Sequence, residues 1–115
     1  MKDRRSELRF MCADLVKLCI RSEGESRQEL VANLEDISPS GACVQLDAAV
    51  REGTAVEIVC GRCRFRGKVR HCRYVATGYD VGVQFARPKS WDQKRYRPKH
   101  LLEIPEAVRR AADRP

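Results

Sequence analysis

Two groups of residues in this 115-residue chain combine types and spacing that could do chemistry. The first, Arg5-x-x-x-Arg9 with Arg4 beside it, lies ahead of the first strand-like stretch. Guanidinium forks match planar acceptors, namely phosphate, carboxylate or the Hoogsteen edge of guanine. The same spacing recurs at Arg62/Arg66, Arg66/Arg70 and Arg110/Arg114, so spacing alone selects nothing. Position separates the first pair, because an arm leading into a strand can close over a ligand. The second group is Asp36-x-Ser38-x-x-Gly41. Its Asp accepts hydrogen bonds from a donor edge, its Ser donates or accepts, and its Gly permits close backbone approach or positive φ. Taken alone, it is also ordinary Asx or Ser turn chemistry between strands.

A third group, Cys60-Gly61-Arg62-Cys63 followed by His71-Cys72, has the residue types of a zinc site. Strand alternation sends His71 and Cys72 to opposite faces, and a two-residue hairpin at Gly61-Arg62 explains the CxxC without metal. No metal site is expected. Cys72 and the remaining cysteines, Cys12, Cys19 and Cys43, sit among apolar or β-favouring neighbours and read as reduced thiols serving as small hydrophobes. Enzymatic chemistry has little to stand on. There is no phosphate-binding Gly-rich loop and no HExxH, and adjacent Glu35 and Asp36 face opposite ways on a regular strand.

Lys plus Arg outnumber Asp plus Glu by 23 to 16, for a net charge of +7, so an anionic partner is expected. Arg62, Arg64, Arg66, Lys68 and Arg70 alternate onto one face of a strand pair as a basic stripe. Phe65 and Tyr74 are too few aromatics for a nucleic-acid stacking platform, which leaves a solvated exterior or a docking surface for an acidic partner. No apolar run approaches the about 18 residues of a membrane span, and Met1-Lys2-Asp3-Arg4-Arg5 leads into no signal-peptide core. The expectation is a cytoplasmic protein without membrane contact.

These groups need elements to hold them. Residues 1–9 read as a flexible cationic arm. From Phe10 to Ile20, apolar Phe10, Cys12, Val16, Leu18 and Ile20 share one strand face, with Asp14 as the interruption. Further alternating runs lead to Asp36, resume after Gly41, and recur at Thr54 to Cys60, Phe65 to Val75 and Tyr79 to Phe85. Asp36 to Gly41 is then a turn or hinge between two strands. Ser90–Arg95 and Pro105–Ala112 favour helix. The expected fold class is all-β: a six-stranded antiparallel barrel over 10–87, with a C-terminal helical segment over 88–115 that covers an opening or edge.

The arginine arm, the strand pair, Asp36-x-Ser38-x-x-Gly41 and the closing Gly82-Val83-Gln84-Phe85 occur in that order. In this order they resemble the PilZ domain family, whose signatures are RxxxR and [D/N]xSxxG. The resemblance runs from about Arg4 to Phe85. It implies a PilZ-like β-barrel that binds the bacterial second messenger cyclic di-GMP, with no cofactor and no catalysis. By the same resemblance Arg5 and Arg9 would grip phosphates and guanine edges, with Arg4 a neighbouring basic position. Asp36, Ser38 and Gly41 would form the complementary barrel surface. A PilZ-like adaptor that binds a protein partner without nucleotide is the alternative.

Overall fold

The structure is a computed structural model that describes residues 8–21 and 27–103. Six strands form the body: β1 (Phe10–Arg21), β2 (Arg27–Ser38), β3 (Gly41–Leu46), β4 (Ala55–Cys60), β5 (Cys63–Val75) and β6 (Gly78–Phe85). Every pairing is antiparallel, and the order β1, β2, β3, β6, β5, β4 returns to β1. Closure gives each strand two partners and so removes the open edges of a flat sheet. β4 reaches only Lys17 to Ile20 of β1. A two-residue strand, β7 (Leu102–Glu103), covers the start of the same edge by pairing with Met11 and Phe10.

Alternation sends one face of every strand inward. Leu18, Leu34, Val44, Ile58, Phe65 and Val81 are buried, and Phe65 stacks on Phe85 with ring centroids 5.3 Å apart. Alternation breaks at three bulges, at Met11/Asp14, Leu34/Asp36 and Val69/His71. Each inserts an extra residue and re-aims the side chains beyond it.

The segment after β6 departs from the helical expectation. None of the described residues is helical, and Pro105–Ala112 lies outside them. Asp92 caps a single turn instead, its Oδ1 accepting from the backbone N–H of Lys94 (2.8 Å) and Arg95 (2.9 Å). Pro98 disfavours helical backbone at Arg97, so the turn cannot propagate. Tertiary contacts decide the rest of the path. Trp91 is buried, meets Phe10 edge to face and donates from Nε1 to the Tyr96 carbonyl at 2.8 Å. Tyr96 donates its hydroxyl to Asp14 Oδ2 at 2.6 Å, which gives a partner to the carboxylate that interrupts the apolar face of β1. The segment is thus a strap sewn onto the barrel. Except for Leu8 and Arg9, the expected arm lies outside the described residues. Among the described residues no helix is long and apolar enough to cross a membrane.

Phe65 anchors this core. Phe65→Ala should lower stability by roughly 3–5 kcal/mol, read from the urea midpoint, whereas Leu15→Ala, at a side chain 74% exposed, should change it by no more than about 0.5 kcal/mol.

Candidate functional site

The register of β1 against β2 sets Phe10 opposite Ile37 and Met11 opposite Asp36. Arg9, one residue before β1, therefore arrives beside Asp36, and its Nη2 lies 3.3 Å from Asp36 Oδ1. Two residues that the sequence separates by 27 positions form an ion pair on the outer barrel surface. Arg9 stays half-exposed and Asp36 mostly covered, with side chains 48% and 24% accessible. Burial raises the Asp36 pKa, Asp80 adds to that effect, and the Arg9 and His71 charges oppose it. Arg4 and Arg5 lie outside the described residues.

Ser38 and Gly41 face each other across the β2–β3 hairpin, whose turn is only Pro39 and Ser40. The buried Ser38 hydroxyl donates to the Gly41 carbonyl at 3.3 Å and so closes the turn. A β-carbon on Gly41 would stand 2.6 Å from the Val83 carbonyl oxygen, so close packing of β3 on β6 requires glycine here. The hairpin is also tied from outside. Its Ser40 carbonyl accepts from Phe85 N at 2.8 Å, and its Pro39 carbonyl accepts from Ser90 N (2.8 Å) and Trp91 N (3.3 Å). The expected hinge is a braced hairpin.

The bulge at Leu34/Asp36 overturns the expectation that Glu35 and Asp36 point apart. Glu35 becomes the extra residue, and its side chain hydrogen-bonds Asp80. Cys43 donates its thiol to Glu35 Oε1 at 3.9 Å. Burial, the Asp80 hydrogen bond and the charges of Asp80 and Asp36 push Glu35 up to about 7. Cys43 is pushed up to about 12, mainly by burial, and stays a protonated donor. Ligand atoms of Glu35, Cys43 and Asp80 lie within 4.8 Å of one another, the one such group among the described residues. Their hydrogen bonds to each other account for that proximity.

Cys60, Cys63, His71 and Cys72 do not gather. Cys63 donates to the Arg95 carbonyl at 3.0 Å, Cys72 accepts from Val50 N at 3.5 Å, and the His71 ring lies against Gly82. The third bulge leaves both Arg70 and His71 exposed, and the Arg70 guanidinium bonds the Gln84 side chain. Gln84 is the partner of Gly41 across β3–β6, so Arg70 stands two strands from the hairpin. The basic stripe is partly neutralised from within: the buried carboxylate of Glu57 holds Arg64 and Arg66, each at 3.4 Å. Arg66, Lys68, Arg70 and Arg21 rim a groove of about 610 Å³ over Val56 and Phe85. Sequence reasoning did not place Glu35, Asp80 or His71 at this surface, because each reaches it through a bulge or across strands distant in sequence.

The closed antiparallel barrel is the fold that the resemblance implied, and in it Arg9, ahead of β1, is paired to the Asp of Asp36-x-Ser38-x-x-Gly41. A PilZ domain family model matches residues 3–97, and the chain belongs to that family. Among solved structures it is similar to the PilZ domain with c-di-GMP of YcgR from Escherichia coli. The identity is 18% and the TM-score 0.54, with 96% of this chain and 95% of that chain covered. At that identity the likeness is one of fold. No curated protein sequence matches the chain.

The Glu35 shift has a thermodynamic sign. A carboxyl group whose folded pKa is raised contributes stability below its unfolded pKa and loses it as pH rises through the folded value. Wild-type melting temperature should therefore fall between pH 5 and 8, the span bracketing about 7. Glu35→Gln should flatten that fall and melt higher than wild type at pH 8. Parallel wild-type and variant profiles would refute the raised Glu35 carboxyl.

Proposed function

We propose that this domain binds cyclic di-GMP on the outer barrel surface around the Asp36–Gly41 hairpin. Arg9, and from the arm Arg4 and Arg5, would meet phosphates and the guanine O6/N7 edges, while Asp36 would accept from the guanine N1–H and N2–H. A dianion carrying two guanines needs guanidinium forks and a carboxylate in one place. The observation that carries the reading is the Arg9–Asp36 pair at 3.3 Å, which unites the two family motifs without a ligand. The YcgR domain, solved with c-di-GMP, shares the fold and supports the reading. The domain would act as a receptor module in the bacterial cytoplasm, with a downstream protein reading the bound state and no chemistry of its own.

The same ion pair favours a second reading. Arg9 and Asp36 already satisfy each other, so the domain could hold its closed form as a protein adaptor that needs no nucleotide. Calorimetry separates the two: the receptor reading expects saturable heat with cyclic di-GMP at tens of micromolar, and the adaptor reading expects none.

Arg9→Ala should weaken cyclic di-GMP binding by roughly 1.5–3 kcal/mol, the range for a hydrogen bond to a charged group, and leave the melting temperature nearly unchanged because Arg9 precedes the first strand. Arg66→Ala has the RxxxR spacing but sits on β5, and should bind as wild type. Equal losses at both positions would point to diffuse electrostatics and refute the specific site.

A further inference from the structure

The motif hairpin occupies β2 and β3, while the groove over Val56 and Phe85 is built from the other four strands, β1, β4, β5 and β6. Its lining carries four cationic side chains, Arg21, Arg66, Lys68 and Arg70, and no carboxylate. That is more one-sided than the chain as a whole, where 23 Lys and Arg face 16 Asp and Glu.

Most of this charge is available. Arg66 is held by the buried Glu57, which Arg64 shares. Arg70 bonds only the uncharged side chain of Gln84. Among the described residues no carboxylate forms an ion pair with Arg21 or Lys68. Between these cations the groove is largely hydrocarbon. Val56 and Phe85 belong to the core, and Ala55, at the exposed start of β4, adds only a methyl group. Arginine and lysine contribute their stems to such walls and keep their charged ends in water.

This combination selects an occupant. A volume of about 610 Å³ lies within the roughly 300–1,000 Å³ of ligand pockets, so it admits the side chains of a short segment and not a folded domain. The rim sets the sign of the ligand, and the hydrocarbon lining asks for apolar groups beside the charge. Single-stranded nucleic acid wants exposed rings on which to stack. The one ring in the lining, Phe85, is only 4% exposed. A bilayer surface wants apolar side chains that protrude, whereas here they lie beneath the cations.

We propose that this groove docks an acidic, apolar segment of a partner protein, its carboxylates meeting Arg21, Lys68 and Arg70 and its apolar side chains entering between them. No part of the contact needs the nucleotide, so it serves a receptor and an adaptor alike.

Display of short random-sequence peptides against the whole chain, without nucleotide, tests this, and the enriched peptides are then titrated by fluorescence anisotropy. Selection should enrich Asp and Glu beside Leu, Ile, Val or Phe. Lys68→Glu reverses a rim charge and Ala55→Trp fills the floor, and each should raise the Kd of an enriched peptide roughly tenfold or more. Lys17→Glu makes the same charge change roughly 13 Å along β1 from Arg21. That exceeds the screening length of about 8 Å at physiological salt, so Kd should stay within about twofold of wild type. All three positions are exposed, and thermal melting checks that each variant folds. Enrichment of no acidic, apolar class would overturn the proposal. Equal losses in Lys68→Glu and Lys17→Glu would mean diffuse electrostatics and overturn it too, as would unchanged binding by Ala55→Trp. Lys68-dependent binding of single-stranded DNA or of phosphatidylglycerol vesicles, tighter than that of any enriched peptide, would overturn it by giving the groove to those partners.

Discussion

Met11 opposite Asp36 and Phe10 opposite Ile37 is a register that does two things at once. It closes the barrel through β1 and β2, and it delivers Arg9 to Asp36. Because side chains alternate along a strand, a slip by one residue would turn Asp36 into the core and carry Leu34 out of it. Burial of Leu18, Leu34 and Ile37 resists that slip. The geometry of the site is thus enforced by the apolar core and not by the ion pair, which as a half-exposed contact is worth little by itself. The arginine is positioned by hydrophobic packing on the other face of the same two strands.

Strand positions were readable because period-two alternation is local. Leu30, Ala32 and Leu34, or Ala42, Val44 and Leu46, announce a strand from a handful of residues, and the structure places β2 and β3 over them. Bulges are not local. Whether Glu35 is the extra residue depends on how β2 meets β3, and no spacing in Leu34-Glu35-Asp36 reveals it. For the same reason Asp80, which reaches the site across β6, carried no motif, and His71 on β5 was read only beside the cysteines. The motif residues were legible as types in order. Their neighbours required the closed sheet.

The C-terminal strap shows propensity losing to tertiary contact. Ser90-Trp91-Asp92-Gln93-Lys94-Arg95 is good helical sequence, yet a helix there would have to give up the Trp91 burial, the Trp91 bond to the Tyr96 carbonyl or the Tyr96 bond to Asp14. Hydrophobic burial of a tryptophan is worth more than a turn or two of helix propensity, a few tenths of a kcal/mol per residue. The gain is shared with the site. Through Ser90 N and Trp91 N the strap holds the Pro39 carbonyl, so the buried Trp91 braces the hairpin that carries Asp36, Ser38 and Gly41.

The surface around that hairpin is electrostatically divided, and the division matters for any anion placed on it. Arg9 and Arg70 bring positive charge to it, while Glu35, Asp36 and Asp80 place three carboxyl groups there. Left fully ionised, the three carboxylates would oppose any anion that the two arginines attract. The structure softens the conflict in two ways: Arg9 neutralises Asp36, and burial together with the Asp80 hydrogen bond raises the Glu35 pKa to about 7, so that Glu35 keeps its proton below that pH. A bound anion adds negative potential at Glu35 and raises its proton affinity further. By linkage, the proton strengthens anion binding by the same factor. An acidic floor beneath the proposed anion site is then no contradiction, because protonated Glu35, hydrogen-bonded to Asp80, acts as a strut between β2 and β6 rather than as a second charge.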